Sequence, residues 1–170
     1  LVDTLTMLGR NEEAAMVRYS QAIIKKSCEA KINSLKNCLQ NHFSIGDSNI
    51  TFWSRFISEQ ISLLERQLPI ETEAQRQEKV QNTPVDIGYK QRLTILNKPV
   101  ITTLYYCCLY HYNLPENFLA SPIAIKKFHN LSEKQYSWTA LLALSHAQKW
   151  NEIDSLFEVK VYSWFILFIN

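Results

Sequence analysis

The chain has 170 residues, 46% of them apolar, with 18 basic and 16 acidic side chains and a net charge of +2. Only 3 glycines occur, where average usage of roughly 7% would supply about 12; sandwiches and barrels need glycine at their turns, so an all-β fold is excluded. The basic residues are spread out, and pairs such as Lys25-Lys26 and Lys126-Lys127 read as solvated helix faces, so the electrostatic footprint of a nucleic-acid binder is missing.

In chain order the elements read as helices. Residues 1–8 look like the end of one, and 11–26 like the next, with Ala15, Tyr19, Ala22 and Ile23 at helical spacing and Asn11 as its cap. Residues 29–42 carry Ile32, Leu35 and Leu39, and Gly46 to Asn49 reads as a turn and cap cluster. A long helix over 50–68 presents Phe52, Trp53, Phe56, Ile57, Ile61, Leu64 and Leu68 as a wide apolar stripe, and Pro69 is expected to end it. Residues 71–80 are polar and suit a short exposed helix, while 81–98, with Pro84 and Gly88 and followed by Pro99, read as a long irregular connection. Pro99 suits the first turn of a helix over 99–112 that is apolar nearly all round and therefore central and buried. A short helix near 121–129 follows. Ser132-Glu-Lys-Gln135 is a capping box opening helix 132–147, whose small face Ala140, Ala143 and Ala147 permits close approach. Trp150, Ile153, Leu156 and Phe157 are expected to place helix 150–158 back against it.

One pattern occurs twice. Leu5-Thr-Met-Leu-Gly-Arg-Asn-Glu-Glu-Ala14 and Leu142-Ala-Leu-Ser-His-Ala-Gln-Lys-Trp-Asn-Glu-Ile153 each carry one helix into a small or basic residue and then open the next with Asn-Glu. Helix–tight turn–helix units repeated along a chain point to an α-solenoid of antiparallel helical hairpins, here a single segment over 1–170. The start at Leu1 reads as that of a fragment of a longer protein. The apolar run 159–169 spans 11 residues, too few for a membrane span of about 20.

The residues offer no reaction centre. His42, His111, His129 and His146 lack ligand partners at helical spacing, so no metal site is expected. His111 reads as a capping or surface histidine. Cys28, Cys38, Cys107 and Cys108 form no C-x-x-C pair and read as reduced, buried thiols. Glu65 and Glu71 flank Pro69 and read as solvated helix-end charges. Phosphate-cradling and nucleophile-elbow motifs are absent. Neither an enzyme activity nor a cofactor is expected, and Trp53, Tyr136 and Trp138 are the anchor-type aromatics, with Trp53 and Trp138 reading more readily as core.

Three stretches together resemble a known family: Leu63-Leu-Glu-Arg-Gln-Leu-Pro-Ile-Glu71, Pro99 to Tyr112, and Leu131-Ser-Glu-Lys-Gln-Tyr-Ser-Trp-Thr-Ala-Leu141 running on to Trp150 and Phe157. They are similar to the C-terminal region of the metazoan spermatogenesis-defective / full-of-bacteria family, the B-type paralogue of class C vacuolar sorting subunit sixteen. The resemblance implies an α-solenoid without enzyme activity that binds a Sec/Munc-family protein, the B-type class C subunit thirty-three. It implies a cytoplasmic location, peripheral on late endosomes, lysosomes or phagosomes. In the A-type paralogue the partner surface lies on helices matching Phe52–Leu68 and Ser132–Leu144, which carries over to Lys134 and the helix side around Ser62; the partner-binding residues the resemblance implies are Ser62, Glu65, Arg66, Lys126, Lys134 and Tyr136. After Phe157 the family usually continues with a Lys-Asn-Trp-like step, whereas this chain has an atypical tail, 159–170.

Two other readings remain at this level. The apolar tail suits a homodimerising structural module. A pocket between helices 50–68 and 99–112, lined by Tyr105 and His111, would suit a ligand carrier or a helical enzyme.

Overall fold

The computed structural model describes residues 1–43, 48–81 and 94–157, and for 48–50 and 77–81 the helical backbone alone. Seven helices are α1 (Val2–Met7), α2 (Asn11–Ile23), α3 (Cys28–His42), α4 (Ser48–Gln81), α5 (Val100–His111), α6 (Pro122–Phe128) and α7 (Glu133–His146); an eighth, α8, covers 150–157. Among the described residues every regular element is a helix, as the composition predicts. The chain divides into two compact units, Leu1–Pro69 and Ile70–Asn170.

In the first unit α1 packs on α2 and α2 on α3. Its interior is built from Ala14, Ala15 and Ala22 of α2, Ile32, Leu35 and Cys38 of α3, and Ile57, Ile61 and Leu64 of α4, all buried. Small residues on α2 let the larger side chains of its neighbours close over them. The Tyr19 hydroxyl donates to Gln60 Oε1 at 3.2 Å, and Lys36 pairs with Glu65 at 2.6 Å. Ser27 starts α3 by accepting from the Ala30 N–H at 3.4 Å.

The second unit is organised by α5. Leu104, Cys107 and Cys108 are fully buried among Ile70, Ile95, Ile125, Ala140, Ala143 and Leu156. The closest partner of α5 is α7, and α6 adds a second contact. Ala140 and Ala143 make this possible, since small side chains allow two backbones to approach. The capping box is complete: Ser132 Oγ accepts from Gln135 N–H at 3.2 Å, and Gln135 Oε1 accepts from Ser132 N–H at 2.9 Å. The Lys149 ammonium donates to the Leu109 carbonyl at 3.1 Å, placing a cation against the negative end of α5.

The two copies of the pattern share one local feature, a left-handed helix stop. After α1, Gly9 is left-handed at φ 72°, and Arg10 N–H reaches back to the Leu5 carbonyl at 2.9 Å. After α7, Gln148 is left-handed at φ 55°, and Lys149 N–H reaches Leu144 at 3.0 Å. The same closure occurs a third time, unseen in the sequence, where Asn130 has φ 50° and Leu131 N–H bonds the Lys126 carbonyl at 2.9 Å. Each is a helix stop in which a left-handed residue lets the chain satisfy carbonyls of the last turn.

Several expectations are corrected. Pro69 does not end a helix; it lies inside α4, although the boundary between the units falls just after it. Asn11 is the first helical residue of α2; Arg10 holds the cap position, without a side-chain cap, and pairs with Glu13. Ser48 and Asn49, expected in a turn, are already helical, while 44–47 lie outside the described residues, as do 82–93 of the long connection and the tail from 158. Glu71 is not a solvated charge. It is 3% exposed, and its Oε2 accepts the Ile95 N–H at 3.1 Å. A carboxylate on α4 thus fixes the chain where it returns to the core. Phe52 and Phe56 lie on the surface in edge-to-face contact with the half-buried Trp53. The apolar stripe narrows to Ile57, Ile61 and Leu64. Of the α8 residues, Ile153 and Leu156 are buried but Trp150 and Phe157 face outward.

Candidate partner interface

The partner-binding residues inferred from the sequence fall into two sets. Ser62, Glu65 and Arg66 lie on α4 in the first unit, and Lys126, Lys134 and Tyr136 in the second. Glu65 is engaged by Lys36 of α3, and Ser62 and Arg66 are half-buried. In the second unit Lys126 and Tyr136 come together: the ammonium of Lys126 stands 5.1 Å from the centre of the Tyr136 ring and pairs with Glu133. The Tyr136 hydroxyl is hydrogen-bonded to that of Tyr112, and burial holds its ionisation well above the ordinary tyrosine range. Both groups are therefore occupied within the unit. Lys134, by contrast, is exposed.

Lys134 sits at the edge of an apolar groove of about 420 Å³ lined by Ser137, Trp138 and Leu141 of α7 and Leu156 and Phe157 of α8. The residues from α7 are spaced i, i+3, i+4 and i+7, one stripe of a helix. A second hollow of about 340 Å³ lies on the other side of Trp138, between Thr139 and Leu142 of α7 and Ile101, Thr102 and Tyr105 of α5. Trp138 is the ridge common to both. It is 65% exposed, and Leu142, one turn on, is 51% exposed.

The sequence reading expected Trp138 in the core, and the structure corrects this. The inward face of α7 is taken by Ala140, Ala143 and Leu144. Positions 138 and 142 then lie on the opposite side at 100° per residue. That signal was present in the chain, because an alanine stripe leaves the large apolar residues of the same helix facing out. The same stripe turns Leu142 outward.

The groove offers apolar area, one cation and one hydroxyl. A tryptophan and its neighbours of this size carry much of the energy of a typical contact. Behind it, Tyr105 OH and His146 Nδ1 are 2.7 Å apart, which ties α5 to α7. His111 is half-buried, and burial, followed by the nearby Lys149 charge, depresses its basicity. Among the described residues no cluster of three histidine, cysteine or acidic side chains could hold a metal, and no helix is long and apolar enough to cross a membrane.

Relatives support the resemblance. The chain is 39% identical over 160 residues to the spermatogenesis-defective protein 39 homolog of Danio rerio, covering 94% of this chain and 31% of that protein. It is 34% identical to the homolog of Rattus norvegicus over 94% of this chain and 34% of the relative. Identity is 20% with spermatogenesis-defective protein 39 of Caenorhabditis elegans, over 92% of this chain and 29% of the relative. The chain thus spans about a third of the length of the curated relatives it matches. No family model matches it, and neither does any solved structure. Those likenesses, held over nearly the whole chain, support the spermatogenesis-defective protein 39 family as the one to which this chain is related.

Proposed function

We propose that this chain is an α-solenoid segment of a spermatogenesis-defective protein 39 family member, equivalent to a B-type class C vacuolar sorting subunit sixteen. On this reading it is a non-enzymatic adaptor. It holds a Sec/Munc-family vacuolar sorting protein, the B-type class C subunit thirty-three, and serves traffic from endosomes and phagosomes to lysosomes, peripheral to the membrane through its partners. The observation that carries the adaptor reading is the α7 face: Trp138 and Leu142 stand exposed beside Lys134 on a helix whose inner face is already filled. Large apolar side chains left outward together mark a contact surface. The lining suits a partner helix with apolar residues for the groove and a carboxylate for Lys134.

The test is co-purification of the chain with the Sec/Munc-type partner. Trp138→Ala should weaken binding by roughly 2 kcal/mol or more if it is an anchor. Lys134→Glu should weaken it with helicity unchanged. Unaltered capture by both variants sinks the interface; no capture by the native chain sinks the partner.

A homodimer through the same exposed strip is the second reading, favoured by Trp150 and Phe157 also facing outward. A mass by light scattering that doubles with concentration, and reverts in Trp138→Ala, would select it.

A further inference from the structure

A second surface lies in the first unit, in a groove of about 380 Å³ between α2 and α3. One wall is Arg18 and Gln21 of α2 with Lys25 just past its C-terminal end; the other is Ser34, Asn37, Asn41 and His42 of α3. Ala22 and Cys38, both buried, form its floor. Arg18, Gln21 and Ala22 are spaced i, i+3 and i+4 on α2, with Lys25 in the link that follows, and Ser34, Asn37, Cys38 and Asn41 are spaced i, i+3, i+4 and i+7 on α3, so both helices turn one face toward the groove.

The chemistry of the stripes is one-sided. Two permanent cations, a histidine, three amides and a hydroxyl line the groove, and none of its lining residues is acidic. The Cys38 thiol lies 3.8 Å from the Ala15 carbonyl, and burial pushes its ionisation up, so the floor adds no negative charge. Arg18 makes a 3.5 Å bond to Gln21 Oε1 from one nitrogen, which leaves guanidinium donors for an anion. A planar guanidinium with ammonium and amide donors around it matches the several acceptor oxygens of a phosphate. The apolar floor and the volume add room for the carbon body that carries it.

We propose that this groove binds an organic phosphomonoester, with Arg18 and Lys25 holding the phosphate and Asn37 and Asn41 orienting it. The site is independent of the α7 face and of the adaptor reading. Its ligand is either a soluble phosphate ester or the headgroup of a phosphorylated lipid.

Calorimetric titration of the 170-residue chain with inorganic phosphate and with inositol 1-phosphate tests it, beside flotation with phosphatidylcholine vesicles with and without phosphatidylinositol monophosphate. Saturable binding of the ester, tighter than that of inorganic phosphate, is expected. Recruitment to the phosphorylated vesicles, together with weaker soluble binding, assigns the lipid source; soluble binding without recruitment assigns the free ester. Arg18→Ala and Lys25→Ala should each weaken binding by about tenfold, the loss typical of one charge-assisted contact. Asn41→Asp, equal in size at an exposed position, should weaken it too. Arg55→Ala removes the same charge from α4, outside the groove, and should change nothing. Absence of saturable binding to every probe, or an equal loss in Arg55→Ala, overturns the proposal.

Discussion

Helices α5 and α7 are packed against each other, yet they distribute their side chains in opposite ways. α5 is apolar nearly all round, and Leu104, Cys107, Cys108 and Leu109 are buried. α7 buries Ala140, Ala143 and Leu144 while Trp138 and Leu142 stand outside. The difference lies in size rather than hydrophobicity. Close approach of two helices selects small residues at the seam, here Ala140 and Ala143, and α7 buries Leu144 beside them while Trp138 and Leu142 face elsewhere. An apolar helix at the centre of a unit is then core, while an apolar helix at its flank becomes a surface. On the proposed reading that distinction separates stability from binding, and substitutions can test it.

The largest effect is expected at the centre. Leu104→Asp buries an unpaired carboxyl group and should unfold the second unit, with a loss above about 4 kcal/mol. A cooperative melt like that of the native chain would end the reading of α5 as the core helix. Next is the seam. Ala143→Leu forces extra volume between α5 and α7 and should cost about 1–3 kcal/mol in chemical denaturation; no change would mean that the approach is looser than the alanines imply. Glu71→Leu, which removes the acceptor for Ile95 N–H, should cost about 1–3 kcal/mol for an orphaned buried donor.

A smaller effect concerns His111. Its basicity is lowered in the folded state, chiefly by burial, so the unfolded chain binds the proton more readily. The sign follows: stability is fully present above the unfolded histidine pKa of about 6.5 and is lost as pH falls through the lower folded value. Denaturant midpoints followed from pH 7.5 to 5 should fall, and should fall less in His111→Gln. Equal slopes would remove His111 as the cause. The smallest effect is expected outside. Trp138→Ala should shift the melt by no more than about 0.5 kcal/mol, because the side chain is mostly in water. A large loss there would make Trp138 a packing residue and erase the contrast between the two helices.

Much of the fold was legible from local signals. The capping box at Ser132 and the fully apolar α5 are written in neighbouring residues, and each appears where the sequence puts it. The candidate interface was legible only in part. Lys134 is exposed on α7, while Trp138 is expected in the core because the tryptophan alone does not say which side of its helix is covered; only the alanine stripe on the same helix does. Glu71 was misread for a related reason: its partner, the Ile95 amide, lies 24 residues away, beyond the reach of any periodicity. Pro69 was read as a stop, although the backbone continues through it in α4.

Local signals alone make the chain helical and set where most helices start and stop. Propensity, capping and the scarcity of glycine act over a few residues and need no knowledge of the rest. Only the tertiary structure decided which apolar face is core and which is surface, that Glu71 is an internal clamp, and that two polar stripes meet across α2 and α3. Those outcomes depend on which helices become neighbours, and the free energy of a side chain is set by what covers it.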